Sequence, residues 1–356
     1  MHEAERLELS VVIVTYNAAR VIGACLDSLR REAAGLALEV FVVDNGSSDG
    51  TPALLREHYP FAQLHDTGRN LGFSAGNNVA LPLCRGRHVM LLNPDTIVQP
   101  GALRALLEHL RAEPRAGAVG PMLRLGDGRI QTECARNLPQ PGNLLPWLLL
   151  LDKLGHRLHL GSPAAADSGM PPGNWFDRMN LLGWPRTNTC SVPSICGACI
   201  LLRQEVLQQV GLLDEASPMY LDDIDYCRRV LDVGWQIHYV AEAVVTHLWQ
   251  QTTLPQRAGM HYGLGLHAIW IYLGKHHGRR AARQFAAMAL AASLLRLPAA
   301  VLGAAWPGAG RPERLRRLRM AQGLWRWAWT FPKTPPRLGF DIRADAPEAV
   351  VVKVSR

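Results

Sequence analysis

The sequence predicts an α/β fold: a mixed, mainly parallel sheet flanked by helices, with a basic helical region appended toward the C-terminal end. Three observations lead there. In about the first hundred residues, β-branched runs of strand length alternate with stretches of helical spacing, the order expected of a parallel sheet with crossover helices. Three of the strands end in polar clusters, Thr15-Tyr16-Asn17, Asp44-Asn45 and Asn93-Pro94-Asp95. At 356 residues and 48% hydrophobic, the chain can bury one large core and leave material for a smaller region.

Leu9 to Thr15 reads as a buried strand, and Ala19 to Arg31 has helical spacing at Val21, Cys25, Leu26 and Leu29. Val40 to Val43 is a second strand. The turn formers Asp44-Asn45-Gly46-Ser47-Ser48-Asp49-Gly50 behind it lead into a helix from Pro52 to His58. A short strand near Gln63 to His65, a helix from Ser74 to Leu83 and a strand from His88 to Leu92 complete a βαβαβαβ order. Polar clusters at the carboxyl ends of parallel strands converge on one crevice lip, where such sheets bind ligands. No GxGxxG follows the first strand and no GxxxxGK[ST] occurs, so neither a dinucleotide fold nor a P-loop is supported.

Charge is unevenly spread. The formal total is +8, but residues 256–356 hold 17 Lys/Arg against 4 Asp/Glu, leaving 21 against 26 before them. Met1 to Leu9 is charged and Val11 to Val14 is only strand-sized, so no signal peptide is read and a cytoplasmic protein is expected. Seven irregularly spaced cysteines fit reduced thiols. Cys196 and Cys199 form a CxxC near Cys190, but no second ligand pair or thioredoxin-like context accompanies them.

Asp222-Asp223-Ile224-Asp225 puts three carboxylates in four positions, which repel unless a cation, a helix N-terminus or catalysis rewards them. Locally, Asp222 or Asp223 could cap a helix through Tyr226, Cys227, Val230 and Leu231, with Asp225 pairing to Arg229 one turn on. Asp95 alone reads as part of a turn capping a helix near Gly101, and His247, after an apolar run, as a core histidine.

Taken in order, the motifs resemble family 2 glycosyltransferases of the GT-A fold. Val11-Val12-Ile13-Val14-Thr15-Tyr16-Asn17 and Val42-Val43-Asp44-Asn45-Gly46-Ser47-Ser48-Asp49-Gly50 look like the opening of that family. Asn70-Leu71-Gly72-Phe73 with Gly76-Asn77-Asn78, Leu92-Asn93-Pro94-Asp95-Thr96, Gly197-Ala198 before Leu201-Leu202-Arg203, and Leu213-Asp214-Glu215 come next. The acidic tetrapeptide and His247 complete the set, and the similarity spans roughly residues 9–250. Within the family, the chain is similar to the bacterial rhamnosyltransferase-like branch that builds cell-surface polysaccharides.

The resemblance implies a Rossmann-like nucleotide-sugar-binding sheet and an inverting transfer of a sugar, rhamnose from a dTDP or UDP donor, to a hydroxyl of a glycan or lipid-linked acceptor. It implies a divalent cation, Mg2+ or Mn2+, at Asp95 and His247, because a diphosphate leaving group develops negative charge. Asn93 stands where the family's Asp-x-Asp motif has its first aspartate, and offers an amide to the cation or ribose. Asp223 falls on the catalytic base, which takes the acceptor's proton. Asp222 replaces the usual glutamate. Thr15, Tyr16, Asn17, Asp44, Arg69, Asn70, Gly72 and Asn77 fall on the nucleotide-sugar site, Asp44 accepting from the imide N–H of a pyrimidine and Arg69 balancing diphosphate charge.

Residues 1–255 are therefore read as the catalytic domain, nucleotide half to about 100 and acceptor half beyond, 256–335 as a basic, apolar helical region and 336–356 as a tail. Val192-Pro193-Ser194 departs from the acidic and aromatic residues that relatives carry there. The stretch Asn137 to Thr189 before it carries Trp147, Trp175 and Trp184, which would stack an acceptor or pack as a satellite cluster. In the tail, the apolar run Phe285 to Leu295 is too short to span a bilayer, and Pro298 precedes a second apolar run. Five arginines between Arg311 and Arg319 stand near Trp325, Trp327 and Trp329. That pattern suits an anionic membrane surface at the inner face of the cell membrane; the competing readings are packing on the catalytic domain or in a homodimer. Nucleic acid is not expected, since no recognised module accompanies the charge. A nucleotidyltransferase and a non-catalytic nucleotide-sugar-binding homologue are the other function classes.

Overall fold

The computed structural model describes residues 7–158, 179–182, 184–216, 220–248, 258–307 and 310–330. The apolar run Leu9–Thr15 forms β1, almost wholly buried, and the helix behind it, α1 (Ile22–Glu32), turns Ile22, Cys25, Leu26 and Leu29 onto the sheet. β2 (Leu38–Asp44), α2 (Thr51–His58), β3 (Ala62–Asp66), α3 (Phe73–Ala80) and β4 (His88–Leu92) follow in the expected order. β3, β2, β1 and β4 are neighbours and parallel, in a register that sets Thr15 beside Asp44 at the strand tips.

The other half is mixed. After β5 (Thr96–Val98), α4 (Ala102–Ala112) and β6 (Ala116–Leu125), a loop-rich segment carries β7 (Ala135–Arg136), α5 (Pro141–Leu148), α6 (Leu151–Arg157), β8 (Cys190–Ser191) and β9 (Ser194–Ile195). β10 (Cys199–Arg203), α7 (Gln204–Val210), α8 (Asp222–Asp232) and β11 (Gln236–His247) complete it. The large sheet runs β3-β2-β1-β4-β10-β6-β11-β5, with β8 on β11. β10 is antiparallel to β4 and β6, and β5 is antiparallel to β11. Antiparallel β5 pairs Thr96 with His247, which brings Asp95 and His247 to one place across 152 residues of chain.

Buried Arg186 organises the loop-rich segment by donating to the carbonyls of Leu181, Trp184, Thr132 and Asn180. Trp184 packs edge-on against Tyr239 and under the Arg186 guanidinium, and Trp147 lies against Tyr262, so both tryptophans pack within the protein. Trp175 lies outside the described residues, as does the tail 336–356.

Three long helices close the described chain: α9 (Ala258–His276), α10 (Gly278–Ala305) and α11 (Arg311–Thr330). Their inner faces share a second core with α5 and α8, including Leu144, Leu148, Ile224, Leu273, Phe285 and Trp327. α9 and α11 cross at Gly259 and Gly323, where a Cβ on Gly323 would run into the Gly259 carbonyl. α10 corrects the expectation of two short apolar runs. It is one 28-residue helix that continues through Pro298 and is long and apolar enough to cross a membrane. Proline there removes one helical hydrogen bond on an exposed face, too little to end the helix.

Candidate active site

The first cluster is built by strand pairing. Leu248 N–H donates to the Asp95 carbonyl (2.8 Å) just beyond the Thr96–His247 pair, and the His247 Nε2 lies 3.3 Å from Asp95 Oδ1. Both side chains are buried. Gln131, also buried, places its Oε1 2.9 Å from His247 Nδ1, so that nitrogen donates and Nε2 is the ring nitrogen that faces the carboxylate. Two electron-rich atoms held this close suit a cation between them. Among the described residues no group of three or more His, Cys, Asp or Glu is arranged to hold a metal. Two protein donors fit Mg2+ or Mn2+, which fill their shells with phosphate oxygens and water.

The second cluster is the acidic tetrapeptide at the start of α8. Neither Asp222 nor Asp223 caps the helix as the sequence suggested. The N-cap is Leu221, which follows Tyr220 in the left-handed region (φ 58° and 71°) and has no side-chain capping bond. Two such residues in succession are strained; Leu221 is held in the second core and the Tyr220 hydroxyl lies 2.8 Å from His261 Nδ1. The three carboxylates then diverge. Asp222 is buried, 3.5 Å from the Ser74 hydroxyl, and burial followed by the charge of Asp223 pushes its carboxyl well above the usual range. Asp223 is half-buried, and its Oδ2 accepts the Gly197 N–H at 2.8 Å. A Cβ on Gly197 would lie 3.2 Å from the Asp223 Cβ, so a glycine admits the carboxylate this closely.

Asp225 pairs with Arg229 as expected (2.9 Å) and also with Lys275 (2.8 Å) and His276 (2.7 Å) at the end of α9. Burial raises its carboxyl, but the hydrogen bonds from Lys275 and His276 outweigh that and leave it below the ordinary value. The backbone joins the two clusters: Asn93 N–H donates to the Ala198 carbonyl (2.9 Å), next to the Gly197 that holds Asp223.

At the tips of β1 and β2, Asp44 is fully buried and accepts from the Ser47 N–H (2.8 Å) and hydroxyl (2.6 Å); burial still pushes its carboxyl up. Asn17 ties the two loops together, accepting from Ser48 N–H and donating to the Ser47 hydroxyl. Tyr16 and Arg69 are exposed at the lip. Asn70 accepts the Gly72 N–H, and Gly72 (φ 84°) begins α3. Asn77 is buried and donates to the Phe73 carbonyl of its own helix. Thr15 Oγ1 and Asn45 Oδ1 are buried without a hydrogen-bond partner among the described residues, which a polar ligand in the crevice would supply.

Sequence reasoning missed Gln131, Ser74, Asn45, Lys275 and His276. Asn45 stood in a quoted motif and could have been found; the others reach the site only through long-range packing. The cysteines fit the expectation of reduced thiols: all seven are free, and burial pushes Cys25, Cys84, Cys199 and Cys227 up to about 12, far from the reactive range.

Known proteins resemble this chain in sequence and fold. A family model described as "Glycosyl transferase family 2" matches residues 10–211, and a second, "Glycosyltransferase like family 2", matches residues 173–259. The chain is 30% identical over 282 residues to an N-acetylglucosaminyl-diphospho-decaprenol L-rhamnosyltransferase of Mycobacterium tuberculosis, covering 76% of this chain and 85% of that protein. It is 26% identical over 229 residues to a low-salt glycan biosynthesis hexosyltransferase of Haloferax volcanii, covering 62% of this chain and 61% of that protein. A mannosyltransferase from Pyrobaculum calidifontis, solved in complex with GDP-Man and Mn2+, superposes with a TM-score of 0.53 at 18% identity, over 93% of this chain and 89% of that one.

Proposed function

Because the chain belongs to glycosyl transferase family 2, and so is a glycosyltransferase, we propose that it moves rhamnose from a dTDP or UDP donor to a hydroxyl of a lipid-linked glycan acceptor, with inversion, in cell-surface polysaccharide synthesis. The rhamnosyl donor and lipid-linked acceptor are supported by the name of the mycobacterial relative, which covers most of both chains.

One observation carries the chemical part: two adjacent carboxylates lie in different environments. Asp222 is buried and raised, while Asp223 is half-buried and accepts a backbone N–H. Carboxylates separated in this way take different roles. Asp223 is the base. It accepts the proton of the acceptor hydroxyl as the oxygen attacks the anomeric carbon, and the bond from that carbon to the diphosphate breaks on the opposite face, inverting the centre. Burial and the charge of Asp223 favour the neutral form of Asp222, which limits the negative charge beside the acceptor oxygen.

Asp95 and His247, with Gln131 behind, would hold Mg2+ or Mn2+, which supplies positive charge to the departing diphosphate. Thr15, Tyr16, Asn17 and Asp44 bind base and ribose, with Asn93 at the ribose side. Arg69, Asn70 and Gly72 line the diphosphate, and Asn77 positions α3 beneath it. Residues 1–255 act as the catalytic unit and the helices behind them as its support, at the cytoplasmic face of the membrane. Family membership leaves no ground for the nucleotidyltransferase reading. A thermal-shift panel of nucleotide sugars with Mn2+ tests the donor: stabilisation by dTDP- or UDP-linked sugars, and not by purine-linked ones, is expected.

A further inference from the structure

We propose that the C-terminal third of α10 and the first turns of α11 seat this protein on an anionic bilayer, inserting into one leaflet only. α10 leaves its last third unburied. Its inward residues Ala281, Ala282, Phe285, Ala289, Ala292 and Ser293 are packed, and beyond Ser293 no residue of the helix is buried. That stretch presents an apolar stripe at helical spacing, Leu294, Leu295, Val301, Leu302 and Trp306, exposed by 51%, 66%, 49%, 73% and 73%. The one charge in it, Arg296, turns inward, donating to the Leu148 carbonyl (2.9 Å) and the Tyr262 hydroxyl (2.8 Å). A continuous apolar face of this kind marks an interaction surface.

Charge says what covers it. α11 carries six arginines against one glutamate. Glu313 pairs with Arg316 and Arg317, and among the described residues no carboxylate lies in ion-pair reach of Arg311, Arg319 or Arg326. The arginine end of α11 lies at the stripe's end, because the Arg314 guanidinium donates to the Trp306 carbonyl at 2.9 Å. Trp329 is also exposed, its ring 5.2 Å from that of Trp325. An apolar stripe that ends in Trp306 and is bordered there by arginine complements acyl chains beneath anionic headgroups. A second copy of this chain would bring the same positive charge to the contact.

Length decides between lying in and crossing the bilayer. α10 as a whole could cross by length and composition, but its first half is committed to the core shared with α5 and α8. The free part, residues 294–305, rises about 18 Å at 1.5 Å per residue. That suffices for one leaflet of a hydrocarbon core about 30 Å thick and not for both.

Membrane seating is independent of donor and acceptor, and its test does not read turnover. The full chain is floated at low and high salt with vesicles of phosphatidylcholine alone or mixed equally with phosphatidylglycerol. The protein is expected to float with the anionic vesicles at low salt. Leu295→Ser/Leu302→Ser/Trp306→Ser should lose at least tenfold in bound fraction with an unchanged melting temperature. Arg311→Gln/Arg316→Gln/Arg317→Gln/Arg319→Gln should lose the preference for anionic vesicles. Wild-type protein left unfloated at low salt, or a serine variant that floats as well as wild type, overturns the proposal. So does light scattering in which the serine variant turns a vesicle-free dimer into a monomer, since the stripe would then cover a second copy.

Discussion

The backbone N–H of Gly197 donates to the Asp223 carboxylate at 2.8 Å, fixing the proposed base from a loop 26 residues upstream. The contact depends on the missing side chain: an added Cβ would meet the Asp223 Cβ at 3.2 Å and the Phe73 ring at 3.5 Å. Gly197→Ala should therefore push the carboxylate aside while the fold survives. A fall in kcat of about ten- to a hundredfold with little change in melting temperature is expected, the usual cost of a misplaced reacting group. Steady-state kinetics beside thermal unfolding would check it; unchanged kcat would show that the contact does not position the base.

The cation pair gives a prediction that separates binding from chemistry. Asp95→Asn should abolish the part of donor affinity that depends on Mn2+, measured by calorimetry with and without the metal. Gln131→Leu leaves both donors in place but releases the His247 ring, and should weaken the apparent Mn2+ affinity about 10- to 100-fold, the usual effect of losing a partner behind a ligand.

Asp222 makes stability depend on pH. Its folded carboxyl titrates above the unfolded one, so between those values the folded state binds more protons, and stability falls as pH rises through the window. Asp222→Asn removes this. The variant's melting temperature should gain on wild type between about pH 4 and neutrality, and the difference should then level off. A constant difference across that range would place the proton elsewhere.

Asp225 ties α9 to α8 through Lys275 and His276. Asp225→Asn takes the carboxylate from part-buried Arg229 and from His276, while Lys275 keeps Asp214, and should cost about 2 kcal/mol, read from the midpoint of urea unfolding. A loss within about 0.5 kcal/mol would show that the clamp is replaced by water.

Much of the fold was legible because it is local. β1 and β4 match the expected residues, since β-branched runs bounded by turn formers announce buried strands. Asp95 and His247 were legible only as motif positions; their meeting comes from the antiparallel β5–β11 pair, which no local pattern encodes. Gln131 is a lone polar residue in the sequence and gains its role only where β6 ends beside β11. Pro298 suggested a break that α10 does not make, because its neighbours keep the helix and the lost bond faces outward.

The most direct measurement is product formation by Asp223→Asn, followed by mass spectrometry with a dTDP- or UDP-linked sugar and a lipid-linked acceptor, beside calorimetric donor binding. The account predicts that wild type forms the glycosylated lipid with inverted anomeric configuration, and that the variant binds the donor nearly as well but loses turnover by about 100-fold or more. Turnover within a few-fold of wild type would contradict it.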